Sequence, residues 1–164
     1  MNNIDIYIDG ACKGNPGYGG WGVYIENIPK NLMLKYYDQW NVKYFVVDKE
    51  KFAIKMKGRS RDITTNNQME LQGAIESCKF CVEYNLKNVN IYTDSVYVYK
   101  GITEWIKGWS KKGRLRKDSK DPVKNIDLWL SLDGFNRAEF NWFWVKGHSG
   151  NYGNDIADHL ASCD

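Results

Sequence analysis

The chain has 164 residues, 43% hydrophobic and 26% charged, with a net charge of +3; this ordinary globular composition excludes wholesale disorder and fits one domain spanning 1–164. No run approaches the eighteen apolar residues of a membrane span, and Met1-Asn2-Asn3-Ile4-Asp5 lacks the basic and apolar regions of a secretory signal. An intracellular location without membrane attachment is expected, with Cys12, Cys78, Cys81 and Cys163 as reduced thiols.

Ile4, Ile6 and Ile8 alternate with Asp5, Tyr7 and Asp9, the two-residue period of a strand with one buried face. A glycine-rich turn from Gly10 follows, then a second strand near Trp21–Glu26. Lys51–Lys57 predicts another strand, with Phe52, Ile54 and Met56 on one side. Val42–Val47 is a candidate hairpin partner for it through the turn Asp48-Lys49-Glu50. Thr65 is a candidate N-cap for a long helix towards Asn85, its apolar positions including Met69, Leu71, Ala74, Ile75, Cys78 and Val82.

Asn88–Thr93 reads as a buried strand ending at Asp94, with short helices near Val96–Lys100, Thr103–Lys111 and Val123–Leu132. A last strand, Glu139–Val145, leads through Gly147-His148-Ser149-Gly150 to a terminal helix starting near Asn154. Strands first, then alternation with helices, imply a mixed α/β sheet covered by helices. Cys78-Lys79-Phe80-Cys81 has half the spacing of a zinc site but no second pair, and is read as packing within the helix.

Charge is unevenly spread. Lys100–Lys124 holds nine lysines and arginines against three acids, and so does Lys30–Arg61, so each is locally +6 and the remainder is net negative. Two basic surfaces flanking an acidic body suit a polyanion held beside carboxylates; a pair of solvated lysine-rich faces is the plainer alternative.

Four acids stand where acids are awkward. Asp9 and Asp94 end strands, Glu70 lies in the first turns of the long helix, and Asp158 sits between Ala157 and Leu160 in the last helix. Clustered carboxylates raise one another's pKa unless cations neutralise them. An all-oxygen ligand set suits Mg²⁺ or Mn²⁺, and two such ions about 4 Å apart assist phosphodiester hydrolysis. Each acid taken singly also reads as a helix cap or a solvated strand end.

Asp9-Gly10-Ala11-Cys12-Lys13-Gly14-Asn15-Pro16-Gly17, Thr64-Thr65-Asn66-Asn67-Gln68-Met69-Glu70-Leu71, Tyr92-Thr93-Asp94-Ser95 and Trp144-Val145-Lys146-Gly147-His148-Ser149-Gly150, followed by Asn154 and Asp158, resemble the ordered motifs of type 1 ribonuclease H. The resemblance runs from about Ile4 to Ala161. It implies a ribonuclease H-like α/β fold, a five-stranded mixed sheet flanked by helices on both faces, with a longer connection around 27–58 between the second and third strands.

It also implies endonucleolytic cleavage of the RNA strand of RNA–DNA hybrids, leaving 5′-phosphate and 3′-hydroxyl ends. Asp9, Glu70, Asp94 and Asp158 match the catalytic, metal-binding carboxylates, holding two Mg²⁺ ions with Mn²⁺ as a substitute. His148 matches a mobile histidine assisting proton movement or product departure; His159 matches nothing and reads as helix surface. Cys12, Gly14, Asn15, Asn66, Asn67 and Glu70 match positions reading the 2′-hydroxyl, the group that separates RNA from DNA. Thr65 and Asn125 match residues holding a phosphate of the DNA strand.

Trp105 and Trp109 share one helix face at i, i+4. With Lys111, Lys112, Arg114, Arg116 and Lys117 they resemble the family's basic protrusion, which packs on deoxyribose and neutralises phosphate. Tyr97 resembles another aromatic of the DNA channel. Val96 and Ile63 depart from the pattern, standing where a minor-groove contact and a basic phosphate-pocket residue are common. The implied partner is the hybrid alone, bound by a monomer. A catalytically silent hybrid-binding module and a ribonuclease H domain detached from a reverse transcriptase are the alternatives; retention of all four acids and of the basic protrusion argues against them.

Overall fold

The computed structural model describes residues 3–43, 46–111 and 124–162. Ile4, Ile6 and Ile8 of β1 (Ile4–Cys12) are buried on one sheet face, as their alternation predicts. β2 (Gly19–Glu26) runs antiparallel to β1, and β4 (Ala53–Arg59) antiparallel to β2. On the other side β5 (Val89–Thr93) pairs parallel with β1, and β6 (Phe140–Trp144) parallel with β5.

The sheet has six strands in the order β3-β4-β2-β1-β5-β6, one more than the five expected. The addition is β3 (Val46–Asp48), which pairs Val46 with Lys55 and Asp48 with Ala53. The hairpin expected there exists, but its first strand is confined to three residues. The cause is a helix that the sequence pattern did not announce, α1 (Lys30–Lys43), which takes up Val42 and returns the chain to the edge of β4. Its apolar side lays Met33 and Trp40 in the core, with Trp40 against Phe80 and Tyr84 of the next helix's end.

That helix, α2 (Asn66–Glu83), covers the isoleucine face of β1 and β2. Cys78 and Cys81 lie buried within its packing, and burial pushes the Cys78 thiol up to about 12. α6 (Tyr152–Ser162) covers the opposite face. It comes so close that a Cβ on Gly22 of β2 would overlap the Ala157 carbonyl and Leu160. Helices therefore sandwich the sheet, as expected.

α3 (Val96–Lys100) lies where predicted. The following helix starts earlier than expected, because residues Gly101–Trp105 form a π-helical turn before α4 (Ile106–Lys111). Within it the Thr103 hydroxyl bonds back to the Tyr99 carbonyl at 2.6 Å, a bond of the kind that loosens a regular ladder. α5 (Ile126–Phe135) packs on α2 and buries Trp129 and Leu132. No helix among the described residues is long and apolar enough to cross a membrane.

Candidate active site

β1 and β5 run parallel, so their C-terminal ends coincide and Asp9 and Asp94 meet at one edge of the sheet. Glu70 arrives from α2. That approach needs Gly10, since a Cβ there would collide with the backbone of Met69 and Glu70. One carboxylate oxygen from each of Asp9, Glu70 and Asp94 lies within 4.8 Å of the others. Asp9 is 4% exposed and Glu70 8%, depths that the sequence does not reveal.

Burial is the first cause of disturbed ionisation here, and mutual repulsion adds to it. Asp9 is pushed up to about 8, mainly by desolvation, with the Asp94 charge contributing. Glu70 is raised well above its ordinary value by burial and then by the charge of Asp9. Asp94 is raised by burial and by the nearby Asp158, against lowering by bonds from Asp9 and Asn154 and by His148. Glu70 Oε2 is buried with no hydrogen-bond partner among the described residues, a state that costs free energy unless a cation or donor meets it. Three crowded carboxylates and an orphaned oxygen fit a hard divalent cation.

Asp158, on α6, is half-buried at the rim, its Oδ2 3.9 Å from His148 Nδ1. His148 is 81% exposed at its side chain and adopts φ 54°, so its imidazole stands out from the loop after β6. That loop begins where the Val145 N–H bonds Thr93 and the Trp144 indole donates to the Asp94 carbonyl at 3.1 Å.

The start of α2 forms the opposite wall. The Thr65 hydroxyl oxygen accepts from the Gln68 N–H at 3.1 Å, the N-cap expected. Asn15 Oδ1 accepts from the Asn66 N–H at 3.0 Å, and Gly17 and Thr64 exchange two main-chain bonds. Cys12 donates to the Thr64 carbonyl. These bonds pin the β1–β2 turn against the helix.

One open cleft of about 460 Å³ is lined by Asp9, Cys12, Asn66, Asn67, Glu70, Asp94, Tyr97, His148 and Asp158. Val96, exposed, lines it too. Gly14 and Asn15 lie exposed on the adjoining turn. Trp105 and Trp109 continue from Tyr97 as a half-buried aromatic series, with centroids 5.9 Å apart for Tyr97–Trp105 and 6.0 Å for Trp105–Trp109. Trp109 also packs on the core residue Trp129. The Lys111 side chain, Lys112 and the remaining cations up to 123 fall outside the described residues. A larger hollow, about 570 Å³, lies away from this chemistry between α1, α2 and β4.

Asn154 and Gln68 stand within or beside the motifs, yet their sequence positions alone gave them no role. Asn154 is 2% exposed and bonds Asp94; a polar residue between Gly153 and Ala157 on the buried side of α6 was the readable signal. Gln68 spans from Thr64 to Asn125, a link that linear sequence does not display.

The RNase H family model matches residues 1–164. The ribonuclease H of Ruthia magnifica subsp. Calyptogena magnifica is 47% identical over 163 residues, covering 99% of this chain and 94% of the relative. Among solved structures, LC9-RNase H1, described as a type 1 RNase H with the type 2 active-site motif, aligns with a TM-score of 0.73 at 26% identity, over 98% of this chain and 72% of that one. LC11-RNase H1, solved in complex with RNA/DNA hybrid, shares the fold with a TM-score of 0.61 at 18% identity, over 97% and 94%. By these matches over nearly its whole length, the chain belongs to the ribonuclease H family of endonucleases.

Proposed function

We propose that this enzyme hydrolyses the RNA strand of RNA–DNA hybrids with two divalent ions held by Asp9, Glu70, Asp94 and Asp158. The carrying observation is the triad of carboxylates within 4.8 Å beside the unpartnered Glu70 Oε2. When bound, Mg²⁺, or Mn²⁺ in its place, would activate a water and stabilise the leaving 3′ oxygen, giving 5′-phosphate and 3′-hydroxyl ends.

The chain's own residues do the rest. Cys12, Gly14, Asn15, Asn66, Asn67 and Glu70 face the RNA minor groove and read the 2′-hydroxyl. Thr65 and Asn125 hold a phosphate of the DNA strand. Tyr97, Trp105 and Trp109 pack on deoxyribose, and Lys111 and Lys112 neutralise phosphates beyond them. His148, held loosely near Asp158, carries a proton or helps the product leave. The reading includes a monomer acting inside the cell.

The test is cleavage of labelled RNA–DNA hybrid against duplex DNA, duplex RNA and single-stranded RNA, with Mg²⁺ and with chelator. Cutting confined to the hybrid's RNA strand and dependent on the ion is expected. Binding without cutting under every condition would favour a silent hybrid-binding module.

A further inference from the structure

Asn125 occupies the N-cap of α5, yet its side chain makes no cap bond, and its backbone is left-handed at φ 61°, ψ 32°. Asparagine at an N-cap ordinarily accepts from the first turn of its own helix. Here the amide is turned elsewhere. Asn125 Oδ1 accepts from Gln68 Nε2 at 3.1 Å, and Asn125 Nδ2 donates to the Tyr97 hydroxyl at 3.1 Å. The Tyr97 hydroxyl also accepts from the indole of the fully buried Trp129 at 3.0 Å. At the other end Gln68 Oε1 accepts from the Thr64 hydroxyl at 2.8 Å.

The chain Thr64–Gln68–Asn125–Tyr97–Trp129 thus joins the start of α2 to α3 and the core of α5. Its donors and acceptors define what is left over. With Oδ1 taken by Gln68 and one N–H taken by Tyr97, Asn125 keeps, among the described residues, one N–H for an outside acceptor. Thr65 accepts from the Gln68 main chain, so its hydroxyl hydrogen is likewise left to donate. Both donors belong to residues that Gln68 contacts, Thr65 through its main chain and Asn125 through its side chain. Swinging the Asn125 amide would present an acceptor there and repel an anion.

We infer that Gln68 is a positioning residue: its side chain fixes the Asn125 amide so that Asn125 and Thr65 together donate to one phosphate of the DNA strand. The inference rests on the proposed reading of Thr65 and Asn125 as phosphate contacts. It adds the residue that makes them act as a pair.

The experiment compares wild type, Gln68→Ala, Gln68→Glu, Asn125→Ala and the Gln68→Ala/Asn125→Ala double variant on a labelled RNA–DNA hybrid. KM, kcat and the salt dependence of hybrid binding in Ca²⁺ are measured. The Thr65 cap uses the Gln68 main chain, and alanine favours helix, so Gln68→Ala retains the fold, which its melting temperature checks. Gln68→Ala is expected to raise KM about tenfold with kcat within about twofold. Its slope of log K against log salt should stay as in wild type, because Thr65 and Asn125 are neutral donors and that slope counts cations neutralising phosphate. Gln68→Glu still accepts from Thr64 but cannot donate to Asn125 Oδ1, so it should be no better than alanine.

The double variant should match Asn125→Ala alone, because Gln68 acts through Asn125. An unchanged KM in Gln68→Ala while Asn125→Ala raises it, or losses that add fully in the double variant, would overturn the inference and leave the phosphate contact standing. An unchanged KM in Asn125→Ala would overturn the phosphate reading and the inference with it.

Discussion

Asp9 is 4% exposed and shares its corner with Glu70 and Asp94, so its effect on stability depends on what neutralises it. Its pKa stands at about 8 in the folded protein against an ordinary 3.8. Between those values the native state holds a proton that the unfolded chain has released, so this group's contribution to stability declines as pH rises from about 4 to about 8. Divalent cations should reverse the decline by binding the ionised form. Asp9→Asn is therefore expected to abolish cleavage and yet raise the melting temperature in chelator, by a margin that grows from pH 5 to pH 8. Thermal unfolding of both proteins with and without Mg²⁺ checks this, and a margin that shrinks with pH contradicts it. His148, exposed and 3.9 Å from Asp158, belongs to a different class: His148→Ala should slow turnover by no more than about 10²–10⁴-fold, measured in single-turnover cleavage. The placement of Asp9 and Asp94 was legible because an isoleucine alternation ends on one and a strand ends on the other. The depth of Asp9 was not, since it comes from the approach of α2 over Gly10. Asn125 was matched by position alone; its refusal to cap α5 is visible only once Gln68 and Tyr97 stand beside it.

The elements carrying the site, β1, β5, α2 and α6, follow local rules. Period-two alternation, a Thr65 cap and helical apolar spacing agree with one another there, and the expected boundaries fall within a few residues of those observed. α1 shows where such reading fails. Met33, Tyr36, Tyr37 and Trp40 have helical spacing, but the segment opens on Pro29-Lys30-Asn31 without a Ser, Thr or Asp cap, and its value lies in packing against distant chain. Trp40 is fully buried, its ring 5.3 Å from Phe80 and 5.2 Å from Tyr84. Trp40→Ala should cost about 3–5 kcal/mol by opening a cavity, read by denaturant unfolding. Its indole N–H has no partner among the described residues, so Trp40→Phe should cost much less, because it also removes an unsatisfied buried donor. Neither change should alter KM for hybrid. Trp40 meets α2 at Phe80, ten residues past Glu70, or about 15 Å along the helix axis.

Across the whole molecule, the described parts of the two basic segments sit differently with respect to the carboxylate cleft. Lys43 is paired with Glu83 at 3.0 Å and Lys49 stands over the Tyr37 ring, both on the α1–β3 flank away from Asp9. Lys111 follows the Trp105–Trp109 series that leads out of the cleft. Neutralising Lys111, Lys112, Arg114 and Lys117 together should raise KM and flatten the salt dependence of hybrid binding, by about 0.9 in log–log slope for each phosphate left without its cation. Neutralising Lys43, Lys49, Lys51 and Lys55 should change both far less. A larger slope change in the second variant would make the α1–β3 flank a hybrid-binding surface. Composition announced both segments equally; the resemblance to a basic protrusion singles out Lys100–Lys124, and the sheet order, with β3 and β4 at the edge opposite β5 and β6, sets the other segment apart. In the proposed function the carboxylates act on the hybrid through bound cations while other residues hold it. Asp94→Asn probes that division of labour, since it removes one charge at nearly constant shape. Single-turnover cleavage of labelled hybrid in Mg²⁺ should collapse, with hybrid affinity in Ca²⁺ retained; cleavage near the wild-type rate would refute the role given to the carboxylates.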